Sequence, residues 1–422
     1  SQEITTHRLR FPKPVKYYRV LTFFGPNMIA SEFNEWKRFR KIAAPAFSER
    51  NNKLVWDETV RIMQDLFENV WGTQAAVKVD HAIEVTLPIA LFVIGVAGFG
   101  RRISWKDDLV VPAGHQMAFK DALHVVSTDV FTKLLVPEWI LNMGLTEHMK
   151  DIKVAFDELE AYMLEMIHAR KAAEKKEERY DLFSSLLDAS EEEEGSAKLT
   201  DRELLGKFLS GHFAGHETTA HTLCFTFGLL ALYQEEQEKL FQHIKGILPD
   251  GRIPPLPVIE KITPIPPVQV IGIPKYAAED TTLVTKNAAG DNVIVPVPNG
   301  AEITIHVPGL HYNPRYWDDP HAFKPERFLG DWPKDAFLPF SGGARSCLGR
   351  RYAFNTLIHV FFETEGVAIL TMLVSRYRME VKNEPEFAGE TFEEKRERIF
   401  RAKPGVTLTP IRVPLVFRRR SG

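Results

Sequence analysis

Hydrophobic and polar positions repeat at helical spacing over most of the first 240 or so residues. The spacing predicts helices over 32–45, 53–72 and 81–98, and a long amphipathic helix pair, charged on its outer face, over 150–190. Residues 1–30, basic and aromatic around Pro12, Pro14 and Pro26, read as irregular, and residues 115–145 carry little helical pattern. Thr200 with Glu203 three positions on forms a capping box, which opens a helix from about Arg202 to Tyr233. Beyond it the pattern changes. Residues 250–275 are crowded with prolines. Residues 281–307 alternate every second position, as short strands do, with a turn at Pro298, Asn299 and Gly300, and alternation returns from Val406 to Phe417. The expectation is a mainly α fold with a small β region, one unit over residues 1–422.

Composition adds bounds. Apolar residues make up 44% of the chain, enough for a large core, and a net charge of −3 gives no global basic field for nucleic acid. The two cysteines, Cys224 and Cys347, cannot build a disulfide framework. The apolar run from Val85 to Gly100 is shorter than the ~20 residues of a spanning helix and contains Pro88, so it reads as a buried core helix. No signal peptide is visible at Ser1 and no initiator Met precedes it, so the chain is expected to begin partway into a longer protein.

Two constellations carry chemistry. The first is Phe340-Ser-Gly-Gly343-Ala-Arg345-Ser-Cys347-Leu-Gly349. A thiolate that binds an iron porphyrin needs a sharp backbone turn, which Gly343 and Gly349 allow. It needs a cation for the acidic groups of the cofactor, which Arg345 supplies. It needs N–H groups near the sulfur, and an apolar residue, Phe340, to keep water away. The ordinary fate of a lone cysteine is burial in a packed core, and the surrounding pattern argues against that fate for Cys347. The second constellation interrupts the long apolar helix with Ala214-Gly215-His216-Glu217-Thr218-Thr219. Ala214 and Gly215 lack bulk, so a flat ligand or a diatomic molecule can approach the backbone. Glu217 and Thr218 form an acid–alcohol pair suited to proton transfer. A close helix crossing would also use small residues here.

The two patterns together resemble the cytochrome P450 family. The Cys347 stretch is similar to its haem-binding loop, and Ala214–Thr219 to the oxygen-activation groove of its central helix. Trp36-x-x-x-Arg40 resembles the helix whose Trp and Arg contact a haem propionate, and Phe323-x-Pro325-x-Arg327-Phe328 resembles the meander. The resemblance implies a P450 fold, haem b as cofactor with Cys347 as iron ligand, and a monooxygenase that puts one atom of O2 into a lipophilic substrate. It implies electrons from NADPH-cytochrome P450 reductase docking on the Cys face, near Lys37, Arg38, Lys41, Arg350 and Arg351. It also implies, for the full-length protein, the cytosolic face of the endoplasmic reticulum membrane. His212, Phe213 and Phe208 are candidate liners of the substrate pocket.

Three departures qualify the resemblance. The E-x-x-R helix expected before the strands is not recognisable: the window 259–268 has Glu260 but Thr263 where Arg should stand, with Pro264, Pro266 and Pro267 against a helix. Arg327 is therefore expected to have lost its partners. Residues 352–361 read as an extra piece after the ligand loop, and the anchor and first strands of the family are not found before Trp36. These departures leave open a haem-deficient chain; a haem-thiolate peroxygenase or isomerase is a further alternative.

Overall fold

The computed structural model describes residues 1–22, 24–105, 111–172, 179–193, 198–248, 271–287, 289–349, 361–404 and 407–420. Near the N-terminus it places a short helix, α1 (Gln2–Thr6), and a 3-10 segment over Val15–Thr22, in the stretch expected to be irregular. The strongly periodic segments fold as predicted into α2 (Phe33–Ala43), α3 (Glu49–Asp65) and α4 (Ile83–Ala97), with strand β1 (Ala76–Val79) between the last two. Residues 115–145 become three short helices, α5 (Phe119–Thr128), α6 (Val130–Leu135) and α7 (Glu138–Met143). The expected pair follows as α8 (Glu147–Ala172) and α9 (Leu182–Glu191), then the long α10 (Asp201–Leu232) and α11 (Gln234–Ile247).

The capping box at the start of α10 is formed in both directions: Glu203 N–H donates to the Thr200 hydroxyl at 3.2 Å, and Thr200 N–H donates to the Glu203 carboxylate at 3.0 Å. Helix α10 packs on α4, which in turn packs on α3. Residues all round α4 are buried, which explains why its sequence is apolar on every side. The apolar run is thus a core helix, as expected.

The second half supplies β2 (Gly272–Tyr276), β3 (Thr281–Lys286), β4 (Asn292–Val297), β5 (Glu302–His306), α12 (Val307–His311), α13 (Phe361–Arg376), β6 (Tyr377–Val381), α14 (Phe392–Ile399), β7 (Ala402–Pro404), β8 (Leu408–Pro410) and β9 (Leu415–Arg419). Strand β9 runs antiparallel between β1 and β6, with Phe417 opposite both Val77 and Met379. Trp71 seals this sheet against the helices, 4.9 Å from the rings of Tyr377 and Phe417. β3 and β4 form an exposed hairpin, whereas β5 pairs with β2. The turn at Pro298 makes that switch: Ala301 N–H donates to Pro298 carbonyl at 3.0 Å, with Gly300 at φ +81°.

The structure corrects one expectation. Arg327 does not lack partners. Its guanidinium donates to the carbonyls of Lys324, Asp318, Asp319 and Ala322 at 3.2, 3.2, 3.1 and 2.9 Å, all within its own loop. An arginine whose donors are met by nearby carbonyls carries no penalty of an unpaired buried charge. The window 259–268 and residues 352–360 of the extra segment lie outside the described residues, and Phe361 opens α13.

Candidate active site

The Cys347 loop is built from short-range backbone contacts. Cys347 N–H donates to Phe340 carbonyl at 3.0 Å and Ser346 N–H to Gly343 carbonyl at 3.1 Å. Gly343 is required twice over: its φ is +64°, and a Cβ there would stand 2.1 Å from the carbonyl oxygen of Thr5 in α1. Gly349 keeps bulk from the sulfur, since a Cβ on it would come 3.4 Å from Cys347 Sγ. The loop presents Cys347 exposed. Cys224, by contrast, is fully buried in α10, and burial pushes its thiol far above the ordinary range. One cysteine is available as a ligand and the other is a packing residue.

Helix α2 meets this loop from the side. Arg40 Nη1 donates to Ser346 carbonyl at 3.0 Å. Trp36, four residues earlier on the same face, is buried under three guanidinium groups. Arg8 and Arg345 stand 4.6 Å from its ring centroid, and Arg40 at 5.7 Å. Arg345 pairs with Glu32, the N-cap residue of α2, at 2.6 Å, with both side chains nearly buried. It also donates to the carbonyls of Ser31 and Met28. Arg345 Nε is buried with no hydrogen-bond partner among the described residues.

Lys13 and Lys275 complete the cluster. Burial pulls the Lys13 pKa down to about 7, with Arg345 adding to the fall and Glu32 opposing it. Burial likewise lowers Lys275. Lys13, Lys275 and Arg345 thus gather around the Glu32 carboxylate, and Arg8 and Arg40 adjoin them beside Arg345. A cluster so unbalanced, with one guanidinium nitrogen orphaned, suits an acidic ligand such as a porphyrin's propionates.

Sequence reasoning found Trp36, Arg40 and Arg345 but missed Arg8, Lys13, Glu32 and Lys275. Lys275 did leave a signal. It lies at the same register as Ile273 on the buried face of β2, where a lysine is out of place. Arg38, expected on a docking face, is instead paired with Glu203 at the start of α10.

The second constellation lies midway along α10. Gly215 carbonyl accepts from the hydroxyls of Thr218 at 3.1 Å and Thr219 at 2.9 Å. Among the described residues, a Cβ on Gly215 would meet only Ile94 of α4, at 3.8 Å, so the helix face there has room. The side chains of His212, Phe213 and Ala214 lie outside the described residues. Glu217 is mostly buried, and burial lifts its pKa to about 7, with the nearby Thr407 hydroxyl opposing the rise. It therefore gains and loses its proton around neutral pH.

The cytochrome P450 family model matches residues 5–393. The chain belongs to the cytochrome P450 family. Cytochrome P450 monooxygenase 124 of Postia placenta is 58% identical to this P450, covering 99% of this chain and 81% of its own. That alignment runs over 431 positions against a chain of 422 residues, so the relative carries internal residues without counterpart here. Cytochrome P450 monooxygenase prx9 of Penicillium rubens is 29% identical, covering 90% of this chain and 72% of its own. Among solved structures, a cytochrome P450DA haem domain overlays with a TM-score of 0.74 at 20% identity, covering 99% of this chain and 86% of that one. A zebrafish cytochrome P450 with abiraterone overlays at 0.71, also at 20% identity, covering 99% and 91%. The fold is that of a P450, mainly α with a small strand region, and the family carries haem and acts as monooxygenases on small molecules with O2 and a redox partner.

Proposed function

We propose that this P450 binds haem b through the Cys347 thiolate and hydroxylates a lipophilic substrate, the whole of residues 1–422 acting as one unit. The observation that carries the reading is the exposed Cys347 beside a cluster of basic side chains, Arg8, Lys13, Arg40, Lys275 and Arg345, three of which share the Glu32 carboxylate. Arg345, Arg40, Arg8 and Lys13 would hold the propionates, with Trp36 as the surface on which the guanidinium groups are stacked. Phe340, Gly343 and Gly349 shape the loop that offers the sulfur. Haem held by a thiolate supplies O2 activation, because the ligand pushes electron density toward O–O cleavage. Protein reduced under CO should show the red-shifted Soret band of thiolate-bound haem; its absence would refute the reading.

The groove residues manage space and protons. Gly215 leaves room beside α10, and Ala214 before it is likewise a small residue. Glu217, whose pKa of about 7 lets it both hold and release a proton near neutral pH, is the acid. Thr218 has its hydroxyl proton directed at Gly215 carbonyl, leaving oxygen lone pairs to accept a proton from a neighbour. Thr218→Ala should raise the share of electrons lost as hydrogen peroxide several-fold at unchanged haem content. Coupling equal to wild type would remove Thr218 from the pathway.

NADPH-cytochrome P450 reductase is the proposed electron donor, docking near Lys37 and Lys41 on α2, both exposed. The proposed location is the cytosolic face of the endoplasmic reticulum. No helix among the described residues is long and apolar enough to cross a membrane. Leu135, Trp139, Met143 and Leu145, around α7, are 80%, 65%, 60% and 63% exposed, a patch suited to lipid. Burying each such side chain is worth about 1.5–3 kcal/mol. Trp139→Ser with Leu135→Ser should weaken binding to phosphatidylcholine vesicles at least ten-fold; equal binding would exclude this patch.

A further inference from the structure

Glu217 does not end the buried polar chain on α10. Four residues on, and so on the same helix face, His221 lies with its Nδ1 3.9 Å from Glu217 Oε1. The same Nδ1 is 2.9 Å from the hydroxyl of Thr407, a residue from the far end of the sequence that immediately precedes β8. The Thr407 hydroxyl also favours the charged form of Glu217, against the effect of burial. His221 and Thr407 are both buried. A hydroxyl with one donor and two acceptor sites can accept from the imidazole while donating to the carboxylate. Beyond it, β7 and β8 form a two-stranded hairpin whose Lys403 is exposed, so this side of the chain leads toward solvent.

We propose that His221 and Thr407 are relay residues that resupply Glu217 with protons from the β7–β8 side. The proposal rests on the reading of Glu217 as the proton donor. In each transfer Thr407 gives its hydroxyl proton to the Glu217 carboxylate while taking one from His221 Nδ1. His221 takes a replacement from water at Nε2, and the imidazole returns to its starting tautomer by ring reorientation or by passage of the next proton. One proton enters and one leaves, with no redox change.

A neutral imidazole suits this task. Burial first, then the nearby His216, His81 and Lys403, bring the His221 pKa down to about 4, so the ring is uncharged at neutral pH and can pass a proton between its nitrogens. A purely structural role, pinning Thr407 to α10, would need only the hydrogen bond. Glutamine at position 221 keeps a donor and an acceptor but cannot exchange protons between two ring nitrogens, and that separates the roles.

The test is infrared spectroscopy of the haem-loaded protein moved from water into D2O, following the carboxylic C=O band of Glu217. Glu365 in α13, fully buried with its carboxyl held protonated by burial, contributes a second such band, so the Glu217 band is isolated by difference from Glu217→Gln. H–D exchange of that band should slow at least ten-fold in both His221→Gln and Thr407→Val, with the fold intact by circular dichroism. Exchange at the wild-type rate in His221→Gln would overturn the relay. Loss of no band in Glu217→Gln would instead overturn the reading of Glu217 as a protonated acid. If Thr407→Val does not fold, His221→Gln alone decides.

Discussion

Cys347→Ala should abolish the red-shifted Soret band of the reduced, CO-bound protein completely, while Cys224→Ala leaves it in place. The contrast follows from the two environments. Cys347 stands at the surface of a loop held by Phe340 and Gly343 carbonyls, next to the cations Arg40 and Arg345. The Cys347 sulfur itself works against the fall that burial causes in the Arg40 pKa, as a negative sulfur beside a guanidinium does. Cys224 is sealed in α10 and its thiol resists ionisation, so it cannot serve as a substitute ligand. Removing its sulfur costs only packing. The measurement is the difference spectrum of each variant at matched protein concentration. An unchanged band in Cys347→Ala would mean that the iron is held elsewhere.

Arg345→Ala should cost about 3 kcal/mol of stability, in the range for breaking a buried ion pair. The side chain removed pairs with Glu32 at 2.6 Å, and the carboxylate left behind stays buried. Lys13 N–H, 3.0 Å from Glu32, and the ammonium groups of Lys13 and Lys275 remain to compensate in part, which keeps the loss from being larger. Removing the acid as well, in Glu32→Gln with Arg345→Ala, should recover most of the loss, because the uncompensated charge is then gone. Haem content should fall in both variants, since the propionate cradle is broken either way. Arg345→Lys restores charge without the planar fork and should recover haem only partly. Denaturant unfolding and haem quantitation check these outcomes; additive losses in the double variant would show that Arg345 and Glu32 are not coupled.

The same cluster makes stability depend on pH. Lys13 has a folded pKa of about 7 against an ordinary 10.5. Between those values the unfolded chain binds a proton that the folded chain does not, so the Lys13 contribution to stability rises with pH across that window. In Arg345→Ala the Lys13 pKa should climb and the slope between pH 7 and 10 should flatten. Glu217 acts in the opposite sense. Its folded pKa of about 7 exceeds the ordinary 4.5, so its contribution is present in full below 4.5 and is lost as pH rises through 7. Glu217→Gln should remove that second slope.

Much of the architecture could be read locally. The capping box at Thr200, the apolar period of α3 and the all-round apolar α4 each specify an element from neighbours a few residues apart, and helices form from such neighbours. The Cys347 loop was legible for the same reason: its glycines, arginine and sulfur act over ten consecutive residues, and its turn is closed by its own backbone. The exposed cysteine and the buried one, alike in sequence, were told apart by the pattern around them.

What tertiary structure alone decided is a set of meetings between distant residues. Arg8, Lys13, Glu32, Lys275 and Arg345 come from the N-terminal turn, the start of α2, an edge strand and the ligand loop, and no period in the chain relates them. Arg327 found carbonyl partners in its own loop where a loss of partners was expected, because a guanidinium donates to any well-placed acceptor and the fold of the loop chooses which. Thr407 reached His221 across 186 positions of sequence. Local sequence determines which helices form and which residues carry chemistry. Which charges share one buried space, and hence their pKa values, depends on long-range packing and desolvation that only the folded chain imposes.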